Sequence, residues 1–292
     1  MIRNILLNQN KKYLIAVSGG PDSMCLLNLC KKNIALVCHV NYNKRASAMR
    51  DENIVKQYCK KNRIKLKILN VTKIIYDQYK KNNFEHIARE IRYDFFYKCA
   101  KAINNFNILI AHNLDDFVET AIMQEEKKSK SLFYGIKQIS FHHGLNIYHP
   151  LINYRKKELK KYCIEHDIIF GIDETNFSDL FYRNRIRKEN AKLPAKKFNE
   201  LISKFNKYNQ NNRILYQQVN KYYLKWRQKQ YLDTYFLSLN KKYWYHLVYI
   251  LLSENNIASI SSNKINGIIQ FIVNGKNNKS YRIGNETFLT KK

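Results

Sequence analysis

The stretch AVSGGPDSMCLL, residues 16–27, sets two glycines, a proline and an aspartate between an apolar strand and an apolar helix. Tyr13 to Val17 read as a short buried strand, and Met24 to Cys30 continue as an apolar-faced helix. Gly19 and Gly20 lack Cβ, so the backbone can turn sharply and a ligand can approach its amides closely. Pro21 suits a first helical position, and the free N–H groups of that helix end favour an anion. Such a loop cradles phosphate; it also makes a well-formed strand–helix turn. The lysine of a G-x-x-x-x-G-K-[ST] loop is missing, and Asp22-Ser23 stand in its place. A carboxylate repels phosphates unless a divalent cation sits between them, and Mg²⁺ is the usual oxygen-bound choice.

The strand is the first of several. "IALVCHVNY" (34–42), "IKLKILNV" (64–71) and "NILIAH" (107–112) read as strands, with helical periodicity at 22–32, 47–62 and 84–102 between them. This alternation predicts an α/β fold, a doubly wound and mainly parallel sheet with ligands at the carboxyl ends of its strands. The loop at Ser18 lies at such an end, as do His39-Val40-Asn41 and Ala111-His112. A helix starts near Leu114, a less regular segment runs from Lys128 to Pro150, and another helix covers 155–167. Beyond Pro194 the strand punctuation stops. Residues 196–252 read as two or three helices rich in Lys, Tyr, Asn and Gln, and the chain closes on a helix end and a small hairpin with Asn274-Gly275 as its turn. The expected division is 1–195 for a catalytic domain and 196–292 for a smaller, mostly helical one.

With 292 residues the chain can bury one sizeable core and a smaller one. Its net charge of +29 points to a polyanion such as nucleic acid, although a lysine-rich composition alone also yields it. The six cysteines form no C-x-x-C pair and have no histidine cluster beside them, which indicates neither a disulfide framework nor a zinc site. The first residues carry too short an apolar run for a signal peptide, and "YWYHLVYILL" is about half of the ~20 residues a membrane span needs. A cytoplasmic protein without a membrane partner is expected.

Three further stretches carry chemistry. In "AHNLDDFVET" (111–120) a helix from Leu114 sets Asp115 and Glu119 at i, i+4 and Asp116 beside Glu119 at i, i+3. These acids complement a helix dipole, and at a strand end next to a phosphate loop they can also hold Mg²⁺, bind an ammonium or accept a proton. "FYRNRIRKE" (181–189) places Arg183 and Arg187 as neighbouring forks for phosphate or carboxylate, or as a basic surface helix. Glu85, Arg89 and Arg92 form one charged helix face.

In this order, SGGPDS, HVN, NxExxAReiRYdFF, AHNLDDxxET, PL…R and DxTNxxxxYxRNRIR, the stretches resemble the bacterial tRNA(Ile)-lysidine synthetases of the PP-loop ATP pyrophosphatases. The resemblance covers about residues 11–195. It implies that ATP and Mg²⁺ are used to attach L-lysine to C2 of the wobble cytidine of a CAU-anticodon isoleucine tRNA. It further implies that Ser18, Gly19, Gly20, Pro21, Asp22 and Ser23 bind the ATP phosphates and that His39, Val40 and Asn41 border the adenosine. Asp22 and Asp115 are the implied metal ligands. Asp115, Asp116 and Glu119 serve metal or lysine, with Glu119 the expected partner of the lysine ammonium. Arg183, Asn184 and Arg187 contact nucleotide or substrate. Tyr42 stands where the family often has a second histidine, and "MQEEKKSKSLFYG" (123–135) departs from its usual glycine-rich turn, so 124–134 receive no role. A tRNA thiolase and a non-catalytic basic RNA-binding protein are the competing readings. The first lacks paired cysteines here, and the second has no use for the acids.

Overall fold

The computed structural model describes residues 7–8, 10–44, 46–78, 84–127, 130–172, 182–255, 257, 260–276, 278–284 and 287–291, with backbone alone at 84–86. Glu85 and the motif residues Asp173, Thr175 and Asn176 lie outside the described side chains. The chain divides into two compact units, one of residues 1–129 and 134–205, the other of 130–133 and 206–292.

The first unit is built on a six-stranded sheet in the order β3-β2-β1-β4-β6-β5. Strands β1 (Tyr13–Ala16), β2 (Ile34–Asn41), β3 (Leu66–Asn70), β4 (Asn107–Leu109) and β6 (Leu145–Tyr148) run parallel; β5 (Ile139–His142) is the antiparallel edge. The order reverses at β1, so its carboxyl end opens a crevice for ligands. Successive β1 residues serve opposite faces. Tyr13, Ile15 and Val17 join a core with α1 (Pro21–Leu29), α2 (Ala48–Lys61) and α6 (Lys156–Glu165). Leu14 joins Leu36 and Cys38 in a second core with Tyr93, Phe96 and Ala100 of α4 (Phe84–Ala102). A strand buried on both sides needs an unbroken apolar run, which "YLIAV" supplies. The remaining helices of this unit are the short α3 (Lys73–Gln78), α5 (Leu114–Glu126) and α7 (Tyr182–Ala191).

The four strands expected from sequence are present, whereas β5 and β6 fall in the segment read as irregular. Each has only four residues, and the turn between them is made by His143 and Gly144, both at positive φ (55° and 75°). Strands that short carry too few residues for a period-2 pattern to stand out.

Helix α8 (Ala195–Asn211) buries Phe198 and Phe205. Phe198 lies under the Arg155 guanidinium at 3.3 Å, and Phe205 stacks on Tyr134 at 6.0 Å. Both belong to the first unit, so the division falls within α8 rather than ahead of it. The second unit holds α9 (Arg213–Gln228), α10 (Asp233–Ser238), α11 (Lys241–Glu254), α12 (Ser262–Asn274) and the hairpin β7 (Ser280–Arg282)–β8 (Phe288–Thr290). Segment 196–252 therefore contains four helices, not two or three. Asn274 ends α12 and Gly275 caps it; the hairpin lies farther on, joined through 283–287. The aromatic residues at helical spacing are largely core. Tyr223, Trp226, Phe236 and Tyr243 are buried, with Trp226 and Phe236 4.9 Å apart. Among the described residues no helix is long and apolar enough to cross a membrane.

Gly19 has φ +92°, and a Cβ there would meet the Asp51 carbonyl oxygen at 2.9 Å. Gly19→Ala is therefore expected to lower stability by about 1–3 kcal/mol, read as a drop in thermal midpoint, with the same substitution at the roomier Gly20 costing less.

Candidate active site

The phosphate loop is held closed by its own serines. The Ser18 amide donates to Ser23 Oγ at 3.1 Å, the two hydroxyls lie 3.1 Å apart, and Ser23 Oγ donates to the Gly20 carbonyl at 3.0 Å. Pro21 takes the first turn of α1, where its missing N–H costs nothing. Behind the loop the Gly171 amide donates to the Gly19 carbonyl at 2.9 Å. Buried Asp51, paired with Arg50 at 3.0 Å, supports the turn from α2. From the neighbouring strand His39 meets the Val17 carbonyl through Nδ1 at 2.8 Å, while its Nε2 is buried with no partner among the described residues. Burial holds its pKa below the usual range, so the ring is neutral at pH 7. Asn41 donates to Glu52 at 2.7 Å. His39 and Asn41 are both buried, at 2% exposure, on the strand beside the loop.

The second edge of the mouth is the start of α5. Asn113, 1% exposed, caps it: Oδ1 accepts from the Asp116 amide at 3.0 Å, and Asp116 Oδ2 accepts from the Asn113 amide at 3.0 Å. Sequence reading passed over Asn113, although an Asn ahead of two acids is a helix-start signal. Its Nδ2 donates to Asp22 Oδ2 at 3.1 Å, joining the loop to α5. The other Asp22 oxygen, Oδ1, is buried and unpartnered among the described residues. Burial raises the Asp22 carboxyl to about 7, with Lys156 opposing the rise and Asp116 adding to it. Asp116 is raised as well, by burial against the counter-effect of Arg183.

The three acids in the first two turns of α5, Asp115, Asp116 and Glu119, face two ways. Asp115 receives Arg155 on both oxygens, Nε at 3.1 Å from each and Nη2 at 2.9 Å from Oδ1, and the Lys156 amide at 2.8 Å. Glu119, 2% exposed, lies between Arg183 (Nε to Oε2, 3.1 Å) and Arg187 (Nε to Oε1, 3.0 Å; Nη2 to Oε2, 3.2 Å). Asp116 shares the same guanidiniums at 3.3 and 3.5 Å. Burial opposes the charge of Arg187, and the bond to Glu119 outweighs it, so its pKa rises. The forks on α7 therefore take carboxylates. The pair brought together is Asp116 and Glu119, not Asp115 and Glu119, because α5 turns Asp115 toward α6.

Of the two metal positions expected, Asp22 has an open oxygen, while both oxygens of Asp115 accept from Arg155. Asp116 is the α5 carboxylate that burial raises along with Asp22, and its Oδ1 faces Arg183 and Arg187 at 3.3 and 3.5 Å. Two carboxylates and a phosphate chain suit Mg²⁺, which keeps much of its shell as water. Among the described residues no group of three or more His, Cys, Asp or Glu is placed to hold a metal by protein ligands alone.

Residues 1–193 match the PP-loop domain family. The chain is 41% identical to the tRNA(Ile)-lysidine synthase of Ureaplasma parvum serovar 3, over 96% of this chain and 85% of that protein. The chain belongs to the tRNA(Ile)-lysidine synthase family. Its members are ATP-dependent ligases of the PP-loop class. The relative named tRNA(Ile)-lysidine synthase in Malacoplasma penetrans is 40% identical, over 95% of each chain. A solved structure, the U34-tRNA thiolase NcsA of Methanococcus maripaludis with its 4Fe-4S cluster, superposes with a TM-score of 0.57 over 72% of this chain and 74% of that one. At 17% identity it shares the fold.

A raised Asp22 pKa has a signed consequence. Without cation or nucleotide, the carboxyl favours the folded state while protonated. That contribution is present below the unfolded value near 4 and is lost as pH rises to about 7. Asp22→Asn, which keeps the Asn113 contact, is expected to be more stable than the native chain at pH 8 by more than about 1 kcal/mol and equal to it at pH 4. Thermal melts of the ligand-free proteins across that range measure the difference.

Proposed function

We propose that this chain joins L-lysine to C2 of the wobble cytidine, position 34, of a CAU-anticodon isoleucine tRNA, converting ATP to AMP and diphosphate. The product would read AUA in place of AUG and carry isoleucine identity in place of methionine. The observation that carries this is one mouth with two kinds of group: a lysine-free phosphate loop around Asp22, and a half-buried Asp116–Glu119–Arg183–Arg187 cluster two hydrogen bonds away, through Asn113. The first suits a triphosphate cleaved between its α- and β-phosphates, the second a zwitterionic amino acid.

The wobble base lies in a single-stranded loop and can be splayed into a pocket at little cost. Its O2 attacks the α-phosphorus, the bond to the bridging oxygen breaks, and diphosphate leaves against the Gly19 and Gly20 amides. Asp22 with Asp116 would hold Mg²⁺, which when bound would supply neutralising charge to those phosphates. The ε-amine of lysine, its proton taken by a carboxylate, then attacks C2, and AMP departs with the former O2. Arg183 and Arg187 hold Glu119 until the phosphates of ATP or tRNA draw them off, which leaves Glu119 to the lysine ammonium. Exposed lysines of α9 and α11, among them Lys221, Lys225, Lys241 and Lys242, would take tRNA phosphates.

The thiolase reading has little support in the cysteines. All six are free and buried, and burial pushes the Cys30 and Cys59 thiols up to about 12 and 11, far from a reactive thiolate. A bare RNA-binding role leaves the desolvated acids beside the loop without a purpose.

The deciding assay supplies ATP, labelled lysine and unmodified isoleucine tRNA. Lysine in the tRNA with one AMP per lysine is expected, and ADP as the main product would overturn the reading. Glu119→Gln is expected to release diphosphate about once per bound tRNA and to incorporate little lysine. Loss of both steps would put Glu119 on the first one. Paired charge reversal at Lys221 and Lys225 is expected to weaken tRNA binding about tenfold or more and flatten its salt dependence, with ATP affinity unchanged.

A further inference from the structure

The loop lacks its own lysine, and the fold brings one from far along the chain. Lys156 is the first residue of α6, whose first turn is fixed to the start of α5 by three contacts. The Lys156 amide donates to Asp115 Oδ2 at 2.8 Å, Arg155 grips the same carboxylate, and the Leu114 amide donates to the Tyr154 carbonyl at 2.9 Å. About two helical turns later, Cys163 Sγ donates to the carbonyl of Pro21 at 3.3 Å, so α6 is seated on the first residue of α1. Asp115 stands two residues after Asn113, which holds Asp22. Lys156 is thus tied to Asp22 through a short run of buried contacts.

The electrostatics agree with that placement. Among the charges acting on Asp22, Lys156 has the largest effect, ahead of Asp116, Arg187 and Asp115. Before ligands bind, the other cations at the mouth are paired with carboxylates: Arg155 with Asp115, and Arg183 and Arg187 with Glu119 and Asp116. The Lys156 ammonium is half-buried and has no hydrogen-bond or ion-pair partner among the described residues. A desolvated carboxylate with an open oxygen and an uncommitted ammonium on the adjoining helix describe a place for an anion bridged by a cation.

We propose that Lys156 is a phosphate-binding residue of this site, contacting the β- and γ-phosphates of bound ATP and the diphosphate that leaves. The ammonium does what a loop lysine does elsewhere, from a different element. A compact point charge on a flexible stem can follow the diphosphate as it separates from the α-phosphorus. This rests on the proposed ATP chemistry of the loop but not on the identity of the acceptor base or amino acid.

The test uses the full chain with Mg²⁺ and no tRNA or lysine, so it stands apart from the lysidine assay. Affinities for ATP, inorganic diphosphate and AMP are measured on the native protein, Lys156→Met and Lys156→Arg. Lys156→Met is expected to weaken ATP and diphosphate binding about tenfold or more, to leave AMP binding unchanged, and to be partly rescued by Lys156→Arg. Unchanged diphosphate affinity, or an equal loss for AMP, would overturn the proposal. On the native protein, diphosphate is expected to shield Lys156 from acetylation, read by mass spectrometry, while AMP is not. Equal labelling with and without diphosphate overturns it independently of how the variants fold.

Discussion

One amide side chain sets the geometry of the mouth. Asn113 spends its oxygen on the Asp116 amide and its nitrogen on Asp22, so a helix cap and an inter-loop tether are the same residue. Neither half suffices alone. A serine cap would start α5 as well but would not reach back to the phosphate loop with a donor. An acid would cap the helix and repel Asp22. Because β1 and β4 are neighbours in the sheet, the two loops emerge side by side, and Asn113 turns that adjacency into a fixed distance between the phosphate site and the acids of α5.

The charges around that tether are arranged so that water-poor acids have partners, with one deliberate shortfall. Asp115 is answered by Arg155, and Asp116 with Glu119 by two guanidiniums. Asp22 is answered by an uncharged amide, and its second oxygen has nothing. A buried acid in that condition either takes up a proton or waits for a cation. His39, which meets the Val17 carbonyl just ahead of the loop, is neutral and adds no charge there.

The sheet was legible because burial on both faces forces apolar runs, which β1, β2 and β4 lie in, while β3 shows as alternation broken by Lys67. The hairpin of β5 and β6 was not, since four residues either side of a two-residue turn leave no periodicity to read. The phosphate loop could be read because only glycine tolerates the φ of residue 19. The partners of the acids could not: the choice between Asp115 and Asp116 depends on which way α5 is rotated, and i, i+3 and i, i+4 spacing permit both. Lys156 was invisible for a related reason, lying more than a hundred residues from Asp22 in a run of lysines that reads as a solvated helix. The aromatic residues beyond Pro194 are mostly core, because a helical unit of this size needs bulky side chains to exclude water.

The arginines at the mouth have a further consequence in a chain where lysine is by far the commoner cation. Arg187 places two nitrogens on Glu119 at once, and Arg155 reaches both oxygens of Asp115 while lying flat on the Phe198 ring. A single ammonium can do neither. The same substitution that is silent across most of this surface, one basic residue for the other, is therefore disruptive at these positions. Mutational drift toward lysine, left to act freely, would erode the mouth of the sheet long before it altered the overall charge.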